Sequence, residues 1–117
     1  MVFIGTMLIT GCSTQVSDSD ISNQVHNALN TFGCGPTSFT KEFDIVSISV
    51  KDKMVKDKNL TAIFNITVRA KRSYKETGGG CWGRFFKEGS SINQGETKTL
   101  EGEFKFNKFD KGWRIVE

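Results

Sequence analysis

The stretch that decides the fold is residues 60–70, which read LTAIFNITVRA. Apolar side chains occupy every second position of it, at Leu60, Ala62, Phe64, Ile66, Val68 and Ala70. Successive side chains of a β-strand point to opposite faces of a sheet, so this period of two predicts a long strand with one buried face. Only Ile63 interrupts the polar face.

Further strands are predicted on both sides of this one. Residues 43–50 alternate in the same way, with Val46, Ile48 and Val50 on one face, and predict a strand. The next segment, residues 51–58, reads KDKMVKDK and predicts the solvated tip of a hairpin because it is dominated by Lys and Asp.

The C-terminal part of the chain continues the same pattern. Residues 96–108 predict a strand in which Leu100, Phe104 and Phe106 point inward. Gly102 also takes an inward position, where the missing side chain predicts either a bulky neighbour or a bend. A tight turn at residues 110–112 then precedes a final strand that carries Trp113 and Ile115.

One helix is predicted ahead of these strands. Its apolar residues recur at helical spacing, at Ile21, Val25, Ala28, Leu29 and Phe32. Ser19 or Asp20 is the predicted N-cap, and the run Gly-Cys-Gly-Pro at residues 33–36 ends the helix. The only His, His26, lies at the edge of the apolar stripe and indicates a surface position.

Together these elements predict one α+β domain, in which a single N-terminal helix packs on a curved antiparallel sheet of about four strands. A length of 117 residues suits one such core. The order of elements and the terminal Gly112-Trp113 resemble the cystatin-like and NTF2-like folds, over roughly residues 20–117.

The N-terminus carries a separate signal. Residues 2–9 are a short apolar run, too short to span the roughly 30 Å hydrocarbon core of a bilayer as a helix. Ile9-Thr10-Gly11-Cys12 follows and resembles the lipobox of bacterial lipoproteins, in which the Cys thiol receives a diacylglycerol. The resemblance implies a signal peptide over residues 1–11, lipidation of Cys12 and a lipidated tether over residues 12–19 before a domain over residues 20–117.

This resemblance also implies a location in the bacterial cell envelope. Ser13 follows the Cys where inner-membrane retention would use Asp, which favours the outer membrane in a Gram-negative host. No Lys or Arg precedes the apolar run, and signal peptides normally carry one. A buried N-terminal strand with a chance Gly-Cys is therefore the alternative.

Lipidation of Cys12 would leave two of the three cysteines, Cys34 and Cys81, as a disulfide pair. Such a bond would close a loop of 47 positions and stabilise the fold by roughly 4 kcal/mol in the chain-entropy model. Metal ligation is the other use of thiols, but His26 is the only His and lies far from both in sequence, so no metal site is predicted.

Residues 77–94 break the regular pattern and predict a long loop between two strands. It contains residue types common at binding hot spots, and these are the candidate partner-binding residues: Trp82, Arg84, Phe85, Phe86 and Lys87. The alternative is that its aromatic side chains cover the open end of the sheet. The run at residues 78–80 is Gly-rich, but no Lys-Ser/Thr follows it, so a phosphate-binding loop is not predicted.

Charge and motifs argue against nucleic-acid binding and against catalysis. A net charge of +3, spread along the chain, falls short of the clustered basic face of nucleic-acid-binding proteins. No catalytic residues, cofactor or metal site are predicted, since no nucleophile elbow, His-rich motif or inward acid is present. We expect a protein-binding lipoprotein, such as an inhibitor, an immunity or exclusion factor, or an accessory component of an envelope machine. The alternative is a structural or small-ligand-binding lipoprotein that uses the concave apolar face of the sheet.

Overall fold

The computed structural model of the protein describes residues 16–116. In chain order the elements are α1 (Asp18–Thr31), β1 (Gly33–Cys34), β2 (Thr37–Ser38), α2 (Phe39–Glu42), β3 (Phe43–Lys56), β4 (Asn59–Ala70), β5 (Tyr74–Lys75), β6 (Ser91–Ile92), β7 (Thr97–Phe109) and β8 (Gly112–Ile115). The main sheet is antiparallel with the strand order β3-β4-β7-β8, and α1 contacts it at β3 and β8. The predicted α+β architecture is confirmed. The predicted signal peptide and Cys12 lie outside the described residues.

Helix α1 begins two residues before the predicted domain boundary at residue 20. Its N-cap is Ser17, whose hydroxyl accepts a hydrogen bond from the Asp20 backbone N–H at 3.2 Å. The predicted caps, Ser19 and Asp20, were therefore wrong, because they lie inside the first turn. Asp18 and Asp20 place negative charge at the positive end of the helix dipole.

The apolar stripe of α1 faces the sheet as predicted. Ile21, Val25 and Leu29, spaced by four residues, are fully buried. The helix ends at Thr31, and the extended residue Phe32 is its C-cap, whose N–H still donates to the Ala28 carbonyl at 3.0 Å. His26 is exposed, as expected.

The hairpin of β3 and β4 is longer than the sequence suggested. The pairing continues to Lys56 opposite Asn59, so the tip is the two-residue loop 57–58 rather than residues 51–58. Asp57 takes a positive φ of 56° there, a conformation that Asp tolerates better than most residues. Residues 51–56 are exposed, so no burial pattern revealed that they belong to a strand.

Strand β3 also contains two bulges, at Val46 and Lys51, which have no partner in the β4 register. The bulge turns the Val46 side chain to solvent, where it is 52% exposed. Its predicted inward position was wrong, while Ile48 and Val50 are partly buried against the core as expected.

Strands β4 and β7 fit the prediction closely. Every inward residue of β4, from Leu60 to Ala70, is buried, and β7 pairs with β4 from Thr97 to Asn107 without a bulge. Strand β8 pairs only with the end of β7, from Phe106 to Phe109. The Gln24 side chain joins α1 to β8, because it donates to the Trp113 carbonyl at 2.7 Å and accepts from the Ile115 N–H at 2.9 Å.

The core lies between α1 and the inner face of the sheet, and aromatic rings close it at the end near α2. These rings are Phe39, Phe43, Trp82, Phe85 and Phe86. Full burial of such a side chain contributes about 1.5–3 kcal/mol, so the aromatic end is a major source of stability. Within residues 16–116 no helix is long and apolar enough to cross a membrane.

Candidate functional site

The loop predicted over residues 77–94 is shorter in the structure, because the predicted range contains strand β6. Strands β5 and β6 pair and hold the ends of the loop together. Tyr74 pairs with Ile92, and Lys75 pairs with Ser91. Inside this base the Glu76 N–H donates to the Ser90 carbonyl at 2.9 Å, and the Gly89 N–H donates to the Glu76 carbonyl at 2.8 Å. The segment from residue 76 to residue 90, here called the clamp loop, therefore leaves and re-enters the fold at one point.

A disulfide joins the clamp loop to the end of α1. Cys34 and Cys81 are bonded, with their Cα atoms 5.6 Å apart, which confirms the predicted pair. Cys34 belongs to the small β1–β2 hairpin, where it pairs with Thr37. The bond thus fixes the first half of the clamp loop against the segment that follows the helix.

A buried carboxylate organises the same half of the loop. The Glu76 side chain accepts hydrogen bonds from the Tyr74 hydroxyl, from the Gly80 N–H at 2.8 Å and from the Gly78 N–H at 2.9 Å. Among residues 16–116, Glu76 is the only charged residue that is buried. The Tyr74 hydroxyl in turn accepts from the Trp82 N–H at 3.2 Å, so the network reaches the residue after the disulfide.

This network explains the run of three glycines. Gly78 and Gly79 have positive φ values of 108° and 70°, a region that glycine enters without steric cost. A Cβ on Gly80 would lie 2.8 Å from both the Glu76 carboxylate and the Tyr74 hydroxyl, closer than real side chains approach. The glycines therefore wrap an anion, as Gly-rich loops do elsewhere, but the anion is an internal side chain.

The electrostatic consequences follow from these contacts. The hydrogen bonds from Tyr74, Gly80 and Gly78 lower the pKa of the Glu76 carboxyl, so the group is ionised at neutral pH. Burial and the bond to Glu76 raise the pKa of the Tyr74 hydroxyl. The network is charged but fully hydrogen-bonded, which is the condition under which a buried anion is tolerated.

Three of the five candidate partner-binding residues lie in the core. Trp82, Phe85 and Phe86 are at most 6% exposed. The Trp82 ring packs edge-on against Phe39 with centroids 5.3 Å apart, and Phe86 packs on Phe43 at 5.5 Å. They cannot present their faces to a partner, so the alternative of covering the open end of the sheet describes these side chains correctly.

Phe85 occupies the space that Gly102 leaves open. A Cβ on Gly102 would lie 2.9 Å from the Phe85 Cε1 atom and 3.1 Å from the Phe104 Cε1 atom. Of the two alternatives at Gly102, the structure shows the bulky neighbour, and this neighbour comes from the clamp loop.

The other two candidates, Arg84 and Lys87, are exposed. The Arg84 guanidinium carbon lies 4.9 Å from the Phe32 ring centroid and 4.8 Å from that of Phe104, and its Nη2 donates to the Glu103 carbonyl at 2.8 Å. Stacking on two rings holds a long side chain in one position, which lowers the entropy cost of using it in binding.

Arg84 and Lys87 border an open cleft of about 430 Å³ between the clamp loop and β7. Phe85 and Leu100 also line the cleft but are almost fully buried, and Lys98 and Glu101 complete its border. Sequence reasoning missed the β7 residues, because nothing in their alternating pattern distinguishes the start of β7 from its end.

The cleft runs along an unpaired edge of β7. Strand β8 covers β7 only from Phe106 onward. The carbonyls of Lys105 and Glu103 point away from β4, since they accept from the Val116 N–H at 2.9 Å and from Arg84. Backbone groups alternate in direction along a strand, so Glu101 and Thr99 also direct their N–H and C=O groups toward the cleft.

No known protein family, curated protein or solved structure shows detectable similarity to this chain. The resemblance to cystatin-like and NTF2-like folds stays a prediction. Within residues 16–116 no three His, Cys, Asp or Glu side chains group so as to hold a metal ion. The geometry of the cleft is therefore the main guide to function.

Proposed function

We propose that the protein is a lipid-anchored component of the bacterial cell envelope that binds a protein partner in the cleft between the clamp loop and β7. Lipidation at Cys12 rests on the lipobox resemblance, and the binding role rests on the cleft. The observation that carries the binding role is the unpaired β7 edge beside a rigid, positively charged border.

An extended peptide segment suits this cleft. Exposed strand edges bind peptides by adding a strand, with main-chain hydrogen bonds that provide affinity and side-chain contacts that provide specificity. The N–H and C=O groups of Thr99 and Glu101 are available for such pairing. Arg84, Lys87 and Lys98 favour a segment that carries an acidic side chain.

The rigidity of the clamp loop supports the same role. The disulfide at Cys81, the Glu76 network and the ring of Phe85 under Gly102 fix the loop at three points. A pre-organised border loses little conformational entropy on binding, so a small contact area suffices for useful affinity.

The alternative, a small-ligand site on the concave apolar face, receives less support. That face is covered by α1, and Phe64, Ile66 and Val68 on it are fully buried. A small-ligand site needs an open concave pocket with apolar walls.

The anchor is tested by intact mass spectrometry and membrane fractionation of the protein expressed in a bacterium, compared with Cys12→Ser. We expect the wild type to start at residue 12, to carry acyl mass and to fractionate with membranes. A full-length, unacylated, soluble wild-type chain would contradict the anchor.

The cleft is tested by photo-crosslinking from a photoreactive amino acid placed at Lys87, in cells of the native host. We expect a defined crosslinked partner, which Thr99→Pro removes because proline has no N–H to donate. Thr99→Ala is the matched control, since it loses the same hydroxyl but retains the N–H. If Thr99→Pro is folded and still crosslinks as the alanine variant does, strand addition at this edge is excluded.

A further inference from the structure

The end of the sheet farthest from the disulfide carries a second surface, formed by residues 54–58 and 108–114 and here called the tip surface. It combines the β3–β4 hairpin tip with the turn between β7 and β8, and the Lys108 N–H donates to the Lys58 carbonyl at 2.9 Å to join them. Trp113 is buried in the core, and the other residues of the tip surface belong neither to the core nor to the cleft.

The tip surface is both basic and apolar. It holds five basic and two acidic side chains, so its net charge of +3 equals that of the whole chain. Within the described part of the chain, Lys56, Lys58 and Lys111 form no ion pair. The surface also holds three of the five exposed large hydrophobic residues found within residues 16–116: Met54 at 70%, Phe109 at 54% and Val55 at 42% exposure.

The described chain begins beside this surface. Lys53, next to Met54 on β3, forms an ion pair with Asp18 and donates to the Val16 carbonyl at 3.3 Å. Cys12 precedes Val16 by four residues, so the chain between them spans at most about 14 Å. A lipid on Cys12 therefore brings the bilayer surface within reach of the tip surface.

We infer that the tip surface rests on the anionic headgroups of the membrane into which Cys12 is anchored. This inference rests on the proposed lipidation of Cys12. Lysines bind anionic headgroups by charge, and exposed apolar side chains such as Phe109 and Met54 enter the boundary between headgroups and acyl chains.

The inference assigns an orientation to the whole protein. Strand β4 has 12 residues and rises by about 3.3 Å per residue, so its two ends are separated by roughly 36 Å. The clamp loop and its cleft lie at the end opposite the tip surface. The cleft would therefore project away from the bilayer, where a partner can reach it.

The test uses residues 12–117 with Cys12→Ser, which is the proposed mature chain without its lipid and contains the whole described domain. Binding is measured by flotation with phosphatidylcholine vesicles that contain or lack phosphatidylglycerol. We expect binding to the anionic vesicles alone. The triple variant Lys56→Gln, Lys58→Gln and Lys111→Gln should weaken it about a hundredfold, since each lysine contributes about fivefold.

A matched control removes the same charge from the opposite end, through Arg69→Gln, Lys41→Gln and Lys75→Gln. All three residues are exposed. We expect this variant to bind within about threefold of the parent, because charges beyond a Debye length of the surface contribute little. Equal losses from both triple variants, or no binding to anionic vesicles, would overturn the inference.

A fluorescence measurement tests the apolar part on the lipidated protein. Brominated phosphatidylglycerol should quench the fluorescence of the tryptophan introduced by Phe109→Trp. It should not quench the fluorescence of the tryptophan introduced by Thr77→Trp in the clamp loop. Quenching of both or of neither overturns the orientation. The acyl mass on Cys12 is measured separately by mass spectrometry. Absence of lipidation is therefore distinguished from absence of membrane contact at the tip surface.

Discussion

Substitution of Gly102 by alanine tests how the clamp loop is held on the sheet. The new Cβ would lie 2.9 Å and 3.2 Å from the Cε1 and Cδ1 atoms of Phe85 and 3.1 Å from Cε1 of Phe104. All three contacts are shorter than a comfortable van der Waals distance, and both rings are buried, so neither can move without displacing its neighbours.

The expected magnitude follows from two opposing effects. Overpacking a well-packed core by one methyl group costs about 1–3 kcal/mol. Replacing glycine by alanine also reduces the number of conformations of the unfolded chain, which stabilises the folded state by about 0.4–1 kcal/mol. The middle of each range gives a net loss of about 1.3 kcal/mol, which corresponds to a fall in Tm of roughly 5–10 °C for a domain of this size.

The measurement is chemical unfolding, followed by tryptophan fluorescence and far-UV circular dichroism with the disulfide intact. Gly33→Ala is the control, because a Cβ there would meet the Thr37 carbonyl oxygen at an ordinary 3.5 Å. We expect this variant to be as stable as the wild type or slightly more stable.

A double-mutant cycle locates the clash. In a Phe85→Leu background the ring atoms near Gly102 are absent, so the cost of Gly102→Ala should fall by about 1 kcal/mol. If Gly102→Ala is as stable as the wild type, or if its cost is unchanged by Phe85→Leu, the clamp loop is not held by this contact.

Three further predictions concern the anion network, the disulfide and the helix cap. Because folding lowers the pKa of Glu76, its stabilising effect is present above the ordinary value of 4.5 and is lost as the pH falls through the lower folded-state pKa. Acid unfolding curves of Glu76→Gln should lack that part of the pH dependence, and an unchanged curve would contradict the network. Cys34→Ser with Cys81→Ser should lower the free energy of unfolding by roughly 4 kcal/mol, measured in denaturant, while an unchanged midpoint would contradict the bond. Ser17→Ala should cost about 1 kcal/mol in the same assay, whereas Ser19→Ala, inside the first turn, should cost clearly less.

The parts of the fold that depend on burial could be predicted from the sequence. Strand β4 and the stripe of α1 each bury one face, and a buried face leaves a periodic pattern in the chain. The disulfide was predicted because the lipobox resemblance assigned Cys12 to a lipid and left Cys34 and Cys81 as the pair. Gly102 was informative because a glycine at an inward position of a strand implies that something else fills the space.

Other features left no local signal. Residues 51–56 are exposed on both sides, and only pairing with the backbone of β4 makes them a strand. Val46 fits the alternation but lies in a bulge, which depends on the register between two strands. The composition of the clamp loop suits a binding surface and a core equally well, and only the packing of Trp82 and Phe85 distinguishes them.

The cleft could not be predicted for a further reason. Its edge exists because β8 has only four residues, so that Thr99 and Glu101 have no neighbouring strand on the side away from β4. A signal for the anion network was present, since Glu76 stands just before three glycines, but the pattern has a recognised meaning only for external phosphates.

The two bulges of β3 have a consequence for a protein confined to a surface. The proposed lipid on Cys12 would confine neighbouring copies to one membrane, and β3 is an edge strand of the main sheet. A straight, uncharged strand there would invite sheet-to-sheet fibre growth between neighbours. The bulges at Val46 and Lys51 interrupt the row of backbone groups with which the β3 strand of a second copy could pair, and the lysines at residues 53 and 56 add charge repulsion. The bulge that exposes Val46, contrary to the prediction from the sequence, would thus let many copies share one membrane without polymerising.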